Sequence, residues 1–132
     1  MHVSWIAFLS VGLGGALGAI ARYAVTLFLQ RGAGSIPMGT LLSNLLGCFI
    51  MGILAQLAAT SNWFNAAGLF PDHYRLLFAV GFCGSFTTLS ALVFEVSDLA
   101  HGGNMAASAV YLLSSVAGGF ACFYLGMTVI RP

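Results

Sequence analysis

One ten-residue stretch, residues 81–90, combines glycine and hydroxyl side chains inside an otherwise apolar segment. It reads Gly-Phe-Cys-Gly-Ser-Phe-Thr-Thr-Leu-Ser and so holds two glycines, two serines and two threonines. In lipid every backbone amide and carbonyl needs an internal partner, so non-helical chain persists only where protein buries it or where it lines a wet cavity. The pattern therefore indicates an ion site. It is equally typical of small residues that let membrane helices approach closely, and both interpretations stay open.

A second polar cluster falls within residues 39–47, where Thr40, Ser43 and Asn44 lie on neighbouring turns of a predicted helix. Asn44 is the most informative, because a side-chain amide inside a membrane span needs both a donor and an acceptor. It can form an interhelical hydrogen bond worth about 1 kcal/mol, or it can line a pore.

Hydroxyl groups also recur towards the end of the chain at steps of three and four residues. Ser108, Tyr111 and Ser115 continue to Gly118 or Gly119, and this spacing places them on one helical stripe. The stripe is a candidate polar track, although serine and glycine on one face also make an ordinary packing surface.

Charged groups are few, and their positions limit the chemistry. Arg22 lies inside an apolar run, where an unpaired guanidinium would cost roughly 2.5–3.5 kcal/mol, so it must snorkel, pair or face water. We expect Glu95 and Asp98 to lie near an interface, with Glu95 as a proton carrier the less favoured alternative.

The three cysteines lack metal-ligand or C-x-x-C spacing and are expected to be inert, and no catalytic arrangement is visible, so an enzyme is not predicted.

Composition defines the class of protein. With 60% hydrophobic and 5% charged residues and a mean hydropathy of +1.00, the chain cannot present the surface of a soluble domain. The formal charge of +1, without a single lysine, argues against nucleic-acid binding. We predict an all-α integral membrane protein. We expect its first apolar segment to be retained, since that segment lacks a basic leader region.

The apolar runs predict one transmembrane domain, residues 1–132, with four transmembrane helices. The spans cover about residues 5–29, 38–59, 72–100 and 105–130. The third is longer than one straight crossing needs, so we expect this helix to be broken at its centre, between Gly84 and Thr87.

Topology gives a clue to assembly. With four spans, Arg75 and Arg131 fall on one side of the membrane, and Arg31 and Arg22 fall on the other. The positive-inside rule then favours neither orientation. This balance, together with the small space that four helices enclose, predicts an antiparallel dual-topology homodimer with two-fold symmetry.

Broken third helices that cross at the dimer axis would bring backbone carbonyls together. The carbonyls of Gly84 and Thr87 would then meet their symmetry mates and form an oxygen site for a cation.

Three segments carry a resemblance to a known family. Residues 14–23 (GGALGAIARY), 39–47 (GTLLSNLLG) and 81–90 (GFCGSFTTLS) are similar, in the same order, to the signature segments of the Fluc (CrcB) family of fluoride-specific ion channels. Members of that family are antiparallel dimers with two fluoride pores and a central structural sodium ion. The resemblance implies fluoride, the lipid bilayer and a second copy of the chain as partners, and the cell (inner) membrane as the location.

The resemblance also implies roles for particular residues. The carbonyls of Gly84 and Thr87 would hold the sodium ion, and Arg22 and Thr40 would lie in a vestibule. The residues that would line the fluoride pore are Asn44, Leu89, Ser90, Leu92, Tyr111 and Ser115.

Leu89 and Leu92 depart from the family pattern, because the family usually has phenylalanine at both positions. A phenyl ring offers an electropositive edge to an anion, and leucine has none. Ser85, Ala91 and Gly119 also differ from residues common in the family. We therefore predict a channel that exports fluoride passively by an altered or slower pathway.

Two other functions stay open at this point. The leucines make a non-conducting membrane subunit that needs a partner chain credible. A small multidrug/proton antiporter would also have four spans, but it requires an intramembrane carboxylate that the first span lacks.

Overall fold

The structure is a computed structural model that describes residues 5–29, 36–60 and 71–130, and these residues are helical apart from short turns. The α-helices are α1 (Trp5–Leu29), α2 (Met38–Thr60), α3 (Pro71–Arg75), α4 (Gly84–Phe86), α5 (Leu89–His101) and α6 (Met105–Val129), and a π-helical segment, Leu76–Cys83, joins α3 to α4. Arg31 and Arg131, which entered the topological argument, lie outside the described residues.

Four helical stretches are long and apolar enough to cross a membrane. They are Trp5–Leu29, Met38–Thr60, His73–His101 (called the third span below) and Met105–Val129. At 1.5 Å per residue each exceeds the ~30 Å of a hydrocarbon core. The prediction of an all-helical, multi-pass membrane protein with four spans is confirmed.

The distribution of side chains is that of a membrane bundle. Large apolar groups face outward along every span, whereas several of the buried side chains carry hydroxyl groups, among them Thr40, Ser43, Ser108 and Ser115. Lipid is as apolar as leucine, so close packing and hydrogen bonds hold such helices together rather than the burial of leucine.

Glycines set the distances between helices. A Cβ at Gly14 would collide with the carbonyl oxygen of Leu77, and one at Gly18 would collide with that of Phe82, so α1 lies directly against the backbone of the third span. Gly52 of α2 lies in the same way against Phe123 of α6. The chain therefore forms two close helix pairs, α1 with the third span and α2 with α6.

Short side chains cap the helices on either side of the last turn. The Thr88 hydroxyl accepts from the Ala91 amide at 3.2 Å at the start of α5, and Asn104 Oδ1 accepts from the Ala107 amide at 3.2 Å at the start of α6. Gly103 has φ +81°, a conformation that residues with a side chain rarely adopt. This tight turn allows α6 to run back along α5.

Between α4 and α5 the backbone leaves the helical conformation. Thr87 has φ −88° and ψ 157°, and Thr88 has φ −154° and ψ 123°. Extended residues at membrane depth must find hydrogen-bond partners outside their own helix. Those partners define the candidate site.

Candidate functional site

Asn44 of α2 pairs with the extended residues of the third span. Its Nδ2 donates to the Thr88 carbonyl at 3.2 Å, and its Oδ1 accepts from the Thr88 amide at 2.8 Å. One turn further along α2, a Cβ at Gly47 would collide with the Thr87 methyl group, so α2 approaches this segment closely. The side-chain amide thus replaces a neighbouring strand and holds Thr88 extended.

This pairing removes the α-helical donors of two carbonyl groups. In a continuous helix the Thr88 amide would donate to Gly84, and the Ala91 amide would donate to Thr87. Instead, the first donates to Asn44 and the second to the Thr88 hydroxyl. The carbonyls of Gly84 and Thr87, the two that the sequence analysis proposed as cation ligands, therefore lose their helical partners, and Gly84 is exposed on the single chain.

Arg22 reaches the same region from α1. Its Nε donates to the Ser85 carbonyl at 3.1 Å, and the contact is partly buried. A cation at the C-terminal end of a helix is favoured by the helix dipole, here that of the helical turns ending at α4. Of the three alternatives for this arginine, the structure shows pairing, with a carbonyl group rather than a carboxylate.

Glu95, which we expect near an interface, is hydrogen-bonded to side chains of two other helices. Its Oε1 accepts from the Thr40 hydroxyl at 2.8 Å, and its Oε2 accepts from the Tyr111 hydroxyl at 2.6 Å. Hydroxyl groups of α2 and α6 therefore hold the carboxylate of α5 between the helices. Glu95 was not among the predicted site residues, although an acidic residue inside a span is itself a signal of function.

The hydroxyl stripe of α6 divides into two parts. Ser108 donates to the Val96 carbonyl at 2.8 Å, and Tyr111, which is 0% exposed, donates to Glu95. Ser115 is 6% exposed, and its Oγ has no hydrogen-bond partner in the part of the chain that the structure describes. The Oγ of Ser43 on α2 is likewise buried and has no hydrogen-bond partner among the described residues. Ser108 and Tyr111 thus donate to groups of the chain itself, and Ser115 keeps a donor for a ligand.

A groove of about 390 Å³ continues from Ser115 along α6. Its lining residues are Cys48, Ser115, Val116, Gly119, Phe120, Phe123 and Tyr124. Cys48 was expected to be inert core, yet it is only half-buried. The spacing of residues in the sequence did not indicate Cys48 as a groove residue, because the other residues that line the groove are on α6, far along the chain.

The two leucines at the family's phenylalanine positions lie in different surroundings. Leu89 is 73% exposed, whereas Leu92 is 4% exposed inside the chain's own core. Ser90 is exposed beside Leu89, and its hydroxyl lies 3.2 Å from that of Thr88. Within one chain the structure does not bring Leu89 and Leu92 together on a common surface.

Comparison with known proteins identifies the family of the chain. A family model described as "CrcB-like protein, Camphor Resistance (CrcB)" matches residues 9–127. A "Fluoride-specific ion channel FluC" from Prosthecochloris aestuarii is 41% identical over 131 residues, which cover 99% of this chain and 98% of the relative. Proteins of the same name from Chlorobium phaeobacteroides strain BS1 (42% over 131 residues; 99% and 98%) and Methylobacterium nodulans (39% over 126 residues; 96% and 94%) are also similar. Because the family match and these alignments span nearly the whole chain, the protein belongs to the CrcB family.

Proposed function

We propose that this protein is a fluoride-selective channel that lowers cytoplasmic fluoride by passive export across the inner membrane. One observation carries the proposal: relatives named as fluoride-specific ion channels align with the chain almost from end to end. The protein is an ion channel and not an enzyme. The site supports this function because its polar groups are placed by apolar helices at membrane depth.

Fluoride is small and strongly hydrated, so a selective path must replace its water with hydroxyl and amide donors and must reject larger chloride. Ser115 and Ser43 supply buried hydroxyl groups whose oxygens have no partner among the described residues. Asn44, Ser90, Tyr111, Leu89 and Leu92 are the other proposed pore residues, and Arg22 and Thr40 lie towards the vestibule. Since leucine lacks the electropositive ring edge of phenylalanine, conduction in this chain relies more on such donors.

The proposed functional unit is an antiparallel homodimer with a sodium ion on its axis. Gly84 supports the axis, because it is exposed on the single chain beside the extended residues. The proposed break of the third helix between Gly84 and Thr87 would meet its symmetry mate there.

The carbonyls of Gly84 and Thr87 fit a sodium site, because their helical donors are engaged elsewhere and hard cations prefer oxygen ligands. When bound, the ion would neutralise the facing carbonyl dipoles of the two chains. Asn44 and the Thr88 hydroxyl make the site possible, since they hold the amides that would otherwise cover those oxygens.

The test is fluoride efflux from liposomes that contain only this purified chain. Fluoride released on adding a potassium ionophore should exceed the release from empty liposomes. Release no faster than from empty liposomes would contradict the channel and would favour a subunit that needs a partner chain.

The same liposomes test the dimer. As protein is diluted to about one chain per vesicle, the fraction of vesicles that lose fluoride should follow the statistics of a two-chain unit. A fraction that follows single chains would contradict the dimer and leave the channel in place.

The sodium site is tested separately by thermal unfolding of the purified protein in detergent. Sodium should raise the midpoint relative to a bulky organic cation at equal ionic strength, since a ligand that binds only the folded state stabilises it. Equal midpoints would contradict the sodium site.

A further inference from the structure

The groove beside α6 contains a thiol for which the proposed pore has no role. Cys48 of α2 lines it together with Ser115, and most of the other lining side chains are apolar. Cys48 is half-buried, so the thiol is neither sealed in the core nor fully exposed to lipid.

Ser115 provides independent evidence that the groove takes a ligand. This residue is more than nine-tenths buried, lines the groove, and its Oγ has no hydrogen-bond partner within the described residues. A buried hydroxyl group without a partner is unfavourable. An anion in the groove would accept its hydrogen.

Gly119 of α6 lacks a side chain and lies next to the Cys48 thiol. It follows Ser115 by one helical turn, so the next position of the α6 stripe carries no side chain. A Cβ built at Gly119 would lie 3.4 Å from Cys48 Sγ. The thiol of α2 therefore occupies the space beside this position and can supply the next polar hydrogen along the groove.

We infer that Cys48 is a residue of the fluoride path, where its S–H donates to an anion passing Ser115, and that a thiol-binding organomercury compound closes the path at this residue. This inference rests on the proposed function. A thiol is a weak hydrogen-bond donor, and its soft sulfur prefers soft metals.

The closing reaction is a ligand exchange on mercury. Methylmercury hydroxide reacts with the thiol: a sulfur–mercury bond forms, and the mercury–oxygen and sulfur–hydrogen bonds break. The thiol proton joins the departing hydroxide as water, and no atom changes oxidation state. The methylmercury group then stays in the groove on Cys48.

The first experiment measures fluoride efflux from liposomes before and after treatment with methylmercury hydroxide in chloride-free buffer. Treatment should remove most of the efflux of the unmodified protein and none of the residual efflux of Cys48→Ala. The matched control is Cys122→Ala, because Cys122 is also half-buried but does not line the groove; this variant should remain sensitive. Block that persists in Cys48→Ala would overturn the inference.

The donor role is tested by untreated variants. Losing one weak donor should make Cys48→Ala slower than the unmodified protein by about two- to tenfold. Cys48→Ser should restore efflux without restoring sensitivity to mercury. Gly119→Ser, added to Cys48→Ala, should also restore efflux by returning a hydroxyl to the stripe. Unaltered efflux in Cys48→Ala would overturn the donor role.

A labelling experiment separates failure of this inference from failure of the proposed function. Mass spectrometry should find methylmercury on Cys48 before Cys83, which is 1% exposed, and fluoride should slow the labelling of Cys48 more than nitrate does. This readout requires no transport. If the unmodified protein passes no fluoride, the channel is refuted while labelling still reports on the site; an unlabelled Cys48, or equal protection by both anions, overturns the inference.

Discussion

Replacing Asn44 with alanine should destabilise the extended segment at Thr87 and Thr88 and abolish fluoride efflux. The side chain makes two hydrogen bonds to Thr88, at 3.2 Å and 2.8 Å. Each intramolecular hydrogen bond contributes about 0.5–1.5 kcal/mol net, so removing both should lower the free energy of unfolding by about 1–3 kcal/mol. The freed Thr88 amide can then donate to the Gly84 carbonyl and continue the helix. That change would remove the extended conformation at Thr88 and return a helical donor to the Gly84 carbonyl.

The assay pairs denaturant unfolding in detergent with fluoride efflux from liposomes. Asn44→Asp keeps the acceptor for the Thr88 amide but loses the donor to the Thr88 carbonyl, so it should be destabilised by at least one hydrogen bond. Thr60→Ala is the matched control, because among the described residues its hydroxyl bonds to Gln56 of its own helix on an exposed face. Its unfolding free energy should change by less than ~0.5 kcal/mol. If Asn44→Ala unfolds like this control and still passes fluoride, the proposed role of Asn44 is refuted.

Three further predictions concern packing and the carboxylate. Gly14→Ala places a methyl group against the Leu77 carbonyl and should cost about 1–3 kcal/mol in unfolding measurements. Gly12→Ala adds a methyl group that has no atom of the described residues within 4 Å, so it should be neutral or stabilising by up to ~1 kcal/mol. Equal losses of unfolding free energy in the two variants would contradict the close approach. Tyr111→Phe removes a donor to the Glu95 carboxylate and should cost about 1.5–3 kcal/mol, measured by denaturant unfolding; an unchanged unfolding free energy would mean that this contact is unimportant. Leu89→Phe should leave stability intact and raise the efflux rate, whereas Leu92→Phe should overpack the core and cost about 1–3 kcal/mol; stability changes in the opposite order would contradict the burial of the two side chains.

The architecture was predictable because membrane spans follow from the length of apolar runs. Four such runs gave four helical spans. Family membership was predictable as well, because three short segments in a fixed order are a specific pattern. Both conclusions depend on residues close together in sequence.

The pairings inside the site were not predictable, because they join residues that are far apart. Asn44 and Arg22 were recognisable from the sequence, because a polar side chain inside a span needs a hydrogen-bond partner. The periodicity of the sequence does not identify Thr88 or the Ser85 carbonyl as that partner. The two donors to the Glu95 carboxylate were not predictable for the same reason, since they come from α2 and α6. Cys48 gave no signal, because a cysteine in an apolar helix is usually inert.

The central claim, passive conduction selective for fluoride, is tested most directly by comparing liposomes loaded with potassium fluoride and with potassium chloride. Both contain the purified chain alone, and valinomycin is added to let potassium leave with the anion. A passive fluoride channel predicts rapid fluoride release only after valinomycin and chloride release no faster than from empty liposomes. Fluoride release that does not depend on valinomycin, or equal release of the two anions, would contradict the claim.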